Sequence, residues 1–113
     1  MVDGQFRGTP SGEPRDISDL PRRGRVSCIG FIESVTYPPA SEQAQFSAIV
    51  VEDISHGAAA AAPPRLRVVW LGRRRMPGLE PGSKLRFEGM VTVRDGMPTM
   101  FNPRYEILTR QEH

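Results

Sequence analysis

Few residue types that build metal or disulfide sites occur in this chain. It has one cysteine, Cys28, and two histidines far apart, His56 and His113. A lone thiol excludes an internal disulfide framework. With so few thiol and imidazole ligands, no zinc centre and no other metal or cofactor site is expected. No apolar run reaches the ~18 residues that a membrane-spanning helix needs, so no membrane partner is expected. The opening stretch MVDGQFRGTPSGEPRDISD has no basic segment followed by an apolar one. It does not read as a secretory signal, and a cytoplasmic location is the expectation. Aromatics are scarce at 7%, with a single tryptophan and two tyrosines. Lysine occurs once, as Lys84, so nearly all of the 15 basic residues are arginine.

Turn formers are abundant. Glycine and proline number 11 each in 113 residues, which argues against a helical bundle and for short strands joined by tight turns. The length suits one domain with a modest core. The net charge of +2 is the sum of unequal halves. Residues 1–59 carry five basic and eight acidic groups, and residues 60–113 carry ten basic and five acidic. The positive excess sits in the second half, as the binding face of a polyanion binder would require. Chance scatter of surface charge would give the same sums, and charge alone does not choose.

Residues 1–20 read as a flexible tail broken by Gly4, Gly8, Pro10, Gly12 and Pro14, with room for a short helical turn at Asp16–Leu20. The domain proper is expected over 21–113. GRVSCIGFIESVTYPP, from Gly24, reads as a long first strand with a bend or bulge at Gly30. AQFSAIVVEDI, over 44–54, is a second strand. SHGAAAAAPP, over 55–64, is a low-complexity connector read as a mobile loop. RLRVVWL, over 65–71, is a third strand. GRRRMPGLEPGS follows as a connector, with one helical turn expected at Arg73–Met76. KLRFEGMVTVR, over 84–94, alternates cleanly and is a fourth strand. Asp95-Gly96 signals a two-residue hairpin. MPTMFNPRYEIL, over 97–108, is a fifth strand broken by Pro103.

Five strands in a chain this short are expected to curl into an all-β, five-stranded antiparallel Greek-key barrel, because a flat sheet leaves open edges. The OB-fold fits best, since its long first strand serves two sides of the barrel. An SH3-like barrel is the structural rival. The segments VVWLGRRRMPGLEPGSKLRFEGMV (68–91) and RDGMPTMFNPRYEIL (94–108) resemble the small actinobacterial OB-fold nucleic-acid-binding domain proteins. These are similar in turn to anticodon-type OB domains of class II tRNA synthetases and to OB domains of DNA repair and replication enzymes. The W-L-G-R-R-R and N-P-R-Y-E strings carry the resemblance most specifically. The chain departs from that pattern at the 58–64 connector and at the apolar Met97–Met100. The resemblance implies binding of single-stranded nucleic acid.

Such binding needs cations along the phosphate track and rings on which bases stack. The candidates are Arg65 and Arg67 on the third strand, the cluster Arg73, Arg74 and Arg75, and Lys84, Arg86 and Arg94 on the fourth. Arg104 and the rings of Tyr37, Tyr105 and Trp70 complete the set. Each also has a structural reading. The Arg cluster could be a solvated turn, Glu88 could neutralise the fourth-strand stripe, and Trp70 and Tyr105 could be core. Phe46 and Phe87 read as core. No catalytic constellation is found. Glu52 and Asp53 fall on opposite faces of one strand, and no glycine loop is followed by Lys-Ser/Thr. The expectation is a non-catalytic module binding single-stranded DNA or RNA with weak sequence preference. A protein–protein adaptor or homodimeric scaffold on the same barrel is the alternative.

Overall fold

The computed structural model describes residues 13–37, 39, 43–52 and 64–109. Most of the 55–64 connector, His56 and His113 lie outside the described residues. Among those described there is no α-helix. Six strands form one mixed sheet: β1 (Gly24–Thr36), β2 (Gln45–Val51), β3 (Arg65–Leu71), β4 (Lys84–Arg94), β5 (Met97–Phe101) and β6 (Arg104–Thr109).

The sheet order β1-β2-β3-β5-β4, with β4 also pairing β1, closes a ring of five strands. β1 makes this closure possible. Its first part, Gly24–Phe31, pairs antiparallel with β4, and Phe31–Thr36 pairs antiparallel with β2. Gly30 sits at the changeover. A Cβ there would stand 2.5 Å from Val50 Cγ1 and 2.8 Å from the Val51 carbonyl oxygen. Glycine is therefore required by the closeness of β2 as the strand turns from one partner to the other. The register then slips between Ile32 and Ser34, a bulge that adds to the bend.

The all-antiparallel expectation is corrected at one pair. β3 and β5 run parallel, Arg67 opposite Thr99 and Val69 opposite Phe101. The reason is arithmetic: a closed ring of an odd number of strands cannot alternate direction throughout. The expected fifth strand also divides into β5 and β6. Asn102, at φ 53°, and Pro103 interrupt it, and the chain moves along β4 from the Val91–Arg94 end to the Lys84–Glu88 end. The Asp95-Gly96 hairpin has positive φ at both residues, 54° and 76°, the backbone a two-residue I′ turn demands.

Inside the ring lie Ile32, Phe46, Val50, Leu66, Val68, Trp70, Leu85, Phe87, Val91 and Met100, all buried. The connector 72–83 has no helical turn at Arg73–Met76. It closes one end of the ring instead, by sinking Met76 and Leu79 into the core. Gly72, Gly78 and Gly82 hold positive φ along it, a run of turns that an α-helix cannot contain.

Residues 13–20, read as part of the tail, dock against the ring. A three-residue 3-10 turn at Ile17–Asp19 buries Ile17. The Arg15 amide donates to the Ser27 carbonyl at 2.7 Å, and the Ser18 amide donates to Glu52 Oε2 at 2.8 Å. One large apolar side chain and two hydrogen bonds outweigh the disorder that the local composition favours. Asp16 stands at the start of this turn but makes no side-chain cap.

Candidate functional site

The sequence candidates distribute over three surfaces. The first is the outer face of β2, β3 and β5. Arg65 and Arg67 both lie there, as the alternation of β3 requires, but each has an acidic neighbour. Arg65 forms a two-pronged pair with Glu33 on β1, Nε to Oε1 at 2.8 Å and Nη2 to Oε2 at 3.1 Å. The hydrogen bonds from Arg65 hold the Glu33 carboxyl below its ordinary range, against the opposing effect of its partial burial. Arg67 stands 3.7 Å from the hairpin carboxylate Asp95, a side chain 86% exposed. That contact is long and solvated, and a phosphate can replace the carboxylate at little cost.

Arg94, at the end of β4, reaches the same face. Its guanidinium lies 5.3 Å from the centroid of Phe101 on β5, within cation–π range. Phe101 is 38% exposed and Leu71, at the end of β3, is 52% exposed. Leu71 is not among the sequence candidates, and the sequence leaves open whether Phe101 is exposed or core. The parallel pairing of β3 with β5 sets Phe101 beside Val69, and no local pattern in the sequence encodes that neighbour.

The second surface is the outer side of β1, β4 and β6. Lys84 lies over the Phe31 ring at 5.6 Å, and Arg86 Nε donates to Ser27 Oγ at 3.2 Å. Arg104 opposes Glu88 in register, with Ser27 on the other side. Glu88, expected among the cations of the fourth-strand stripe, is only 2% exposed. The reason is its position in β4, flanked by β1 on one edge and β6 on the other. The fourth-strand stripe is thus divided. Lys84 and Arg86 face neighbours on β1, and only Arg94 joins the first surface.

The third surface is the capped end of the ring. Arg73, Arg74 and Arg75 are exposed there. Tyr37, 60% exposed, packs edge-on against Phe46 at 5.6 Å between centroids. A cleft of about 270 Å³ lies between Tyr37, Phe46, Arg75, Met76, Leu79 and Glu80.

Trp70 does not offer a stacking face. It is 5% exposed, its Nε1 donates to the Pro103 carbonyl at 3.0 Å, and its ring contacts Phe46, Phe87 and Tyr105. An indole needs both apolar cover and a partner for its N–H, and the core supplies both. Tyr105 is half-buried, edge-on to Trp70 at 5.6 Å, and locks β6 onto the ring. Cys28 is fully buried, and burial pushes its thiol up to about 12, a value far from a nucleophile's. Among the described residues no group of three or more His, Cys, Asp or Glu side chains gathers in metal-binding range. No helix among them is long and apolar enough to cross a membrane. No family model, curated protein or solved structure matches this chain.

Proposed function

We propose that this chain is a non-catalytic OB-fold module that binds single-stranded nucleic acid, DNA or RNA, with weak sequence preference. The five-stranded ring, its long bent first strand and its strand order β1-β2-β3-β5-β4 support the fold. The observation that carries the function is the Arg94–Phe101 pair on the outer face of β5, at 5.3 Å and partly exposed. It presents a planar cation and an aromatic ring together, beside Arg67 and the exposed Leu71. Stacking on such a platform contributes roughly 1–3 kcal/mol per base and tolerates any base. Arg67 contributes charge once Asp95 is displaced, and Arg73 and Arg75 extend the positive track past the end of β3.

Fluorescence anisotropy with labelled single strands of DNA and RNA, at low and moderate salt, tests this reading. Binding that weakens as salt rises is expected. Phe101→Ala is expected to lower affinity by ~5- to 150-fold, the scale of one base stacked on one ring. Absence of binding to both polymers at low salt overturns it.

One observation favours a second reading, a protein–protein adaptor. Leu71 and Phe101 are exposed on one face whose two β3 arginines already have acidic partners. A pull-down whose partners survive nuclease would support it.

A further inference from the structure

We propose that the cleft at the capped end of the ring is a subsite for a single guanine base of the bound strand. This deepens the nucleic-acid reading and rests on it. The cleft, about 270 Å³, falls just below the ~300 Å³ at which pockets begin to hold drug-sized ligands. That is room for one base with its sugar left outside. Its lining combines three chemistries.

Tyr37 gives an aromatic ring held edge-on by Phe46 and 60% exposed. Arg75 gives a planar cation, and Glu80 a carboxylate. The Watson–Crick and Hoogsteen edges of guanine are divided in the same way. O6 and N7 are acceptors that suit a guanidinium. The N1–H and the exocyclic amine are adjacent donors that suit the two oxygens of a carboxylate. Uracil and thymine have no exocyclic amine for Glu80, and adenine has no O6 for Arg75.

The walls are fixed in advance. Met76 and Leu79 are anchored in the core, and the Leu79 amide donates to the Met76 carbonyl at 3.1 Å. The loop therefore carries Arg75 and Glu80 on either side of two buried posts, which limits the ordering a ligand must impose. The cleft shares no lining residue with the Arg94–Phe101 platform.

The test uses the whole chain and labelled oligo-dT of ~10 residues, within the ~4–16 nucleotides one such domain covers. The same oligomer carrying one guanine, one hypoxanthine or one adenine is compared with it. About tenfold tighter binding of the guanine oligomer is expected, with hypoxanthine, which lacks the amine, falling between. Glu80→Gln is expected to bring the guanine-to-thymine ratio close to one, and Tyr37→Ala to shrink it. Both positions are exposed, so neither change threatens folding. Binding of all four oligomers with equal affinity overturns the subsite and leaves the parent reading standing. Binding of none overturns both.

Discussion

At the scale of single residues, Gly30 and Cys28 carry the sharpest consequences. Both belong to β1, and both are buried. Gly30→Ala drives a methyl into Val50 and the Val51 carbonyl. Those atoms belong to a paired strand that cannot retreat alone. Overpacking of this kind costs about 1–3 kcal/mol, and a lower urea midpoint with an unchanged slope is the expected readout. Cys28 supplies a pH test. Its thiol is raised from an ordinary 9.0 to about 12, because the folded core cannot hydrate a thiolate. The folded state thus keeps its proton where the unfolded chain loses one. This leaves stability untouched below about pH 9 and subtracts from it as the pH rises from there toward 12. Cys28→Ala should lose stability at neutral pH through the small cavity left, yet show a flatter decline above pH 9 in denaturation curves. An equally steep decline in the variant would refute the assignment. Both residues are visible in the sequence: one as a glycine inside an apolar strand, the other as a thiol among apolar neighbours.

At the scale of elements, the junction between β5 and β6 decides which face is built. The Asn102 amide donates to the Val69 carbonyl at 2.6 Å, and its Oδ1 accepts from the Leu71 amide at 3.0 Å. One residue at φ 53° thereby joins the end of β5 to the end of β3 while turning the chain toward β6. Asparagine suits the left-handed conformation better than most residues and brings its own acceptor. Asn102→Gly should keep the turn and lose only the side-chain bond, at about 1 kcal/mol. Asn102→Ala adds left-handed strain of about 1–2 kcal/mol and should be the less stable of the two by thermal unfolding. The reverse order would mean that the turn is not held by conformation. A break at Asn102-Pro103 is legible in the sequence. The latch of Asn102 onto β3 is not, because that bond spans 31 residues.

At the scale of the whole molecule, the excess positive charge of the second half is largely dispersed. Arg65 and Arg67 meet Glu33 and Asp95, Lys84 and Arg86 turn toward β1, and Arg94 meets Phe101. The Arg73–Arg75 cluster sets three consecutive arginines on the exposed surface. Replacing all three by alanine is expected to weaken single-strand binding and to flatten the slope of log affinity against log salt. On a single strand the slope falls by about 0.7 for every phosphate no longer neutralised. A parallel shift with an unchanged slope would show that the cluster shapes the loop without meeting phosphate.

Local chemistry was sufficient for the strands, the hairpin and most of the core. Alternation in KLRFEGMVTVR, the Asp95-Gly96 turn and the proline limits act over neighbouring residues, where sterics and backbone hydrogen bonding dominate. The docked turn at Ile17, the parallel closing pair, the burial of Glu88 and the meeting of Phe101 with Arg94 depend on segments distant in the chain. Only ring closure brings them together. An odd ring forces at least one parallel pair, the strand order places it between β3 and β5, and that pair decides which rings and cations share a face.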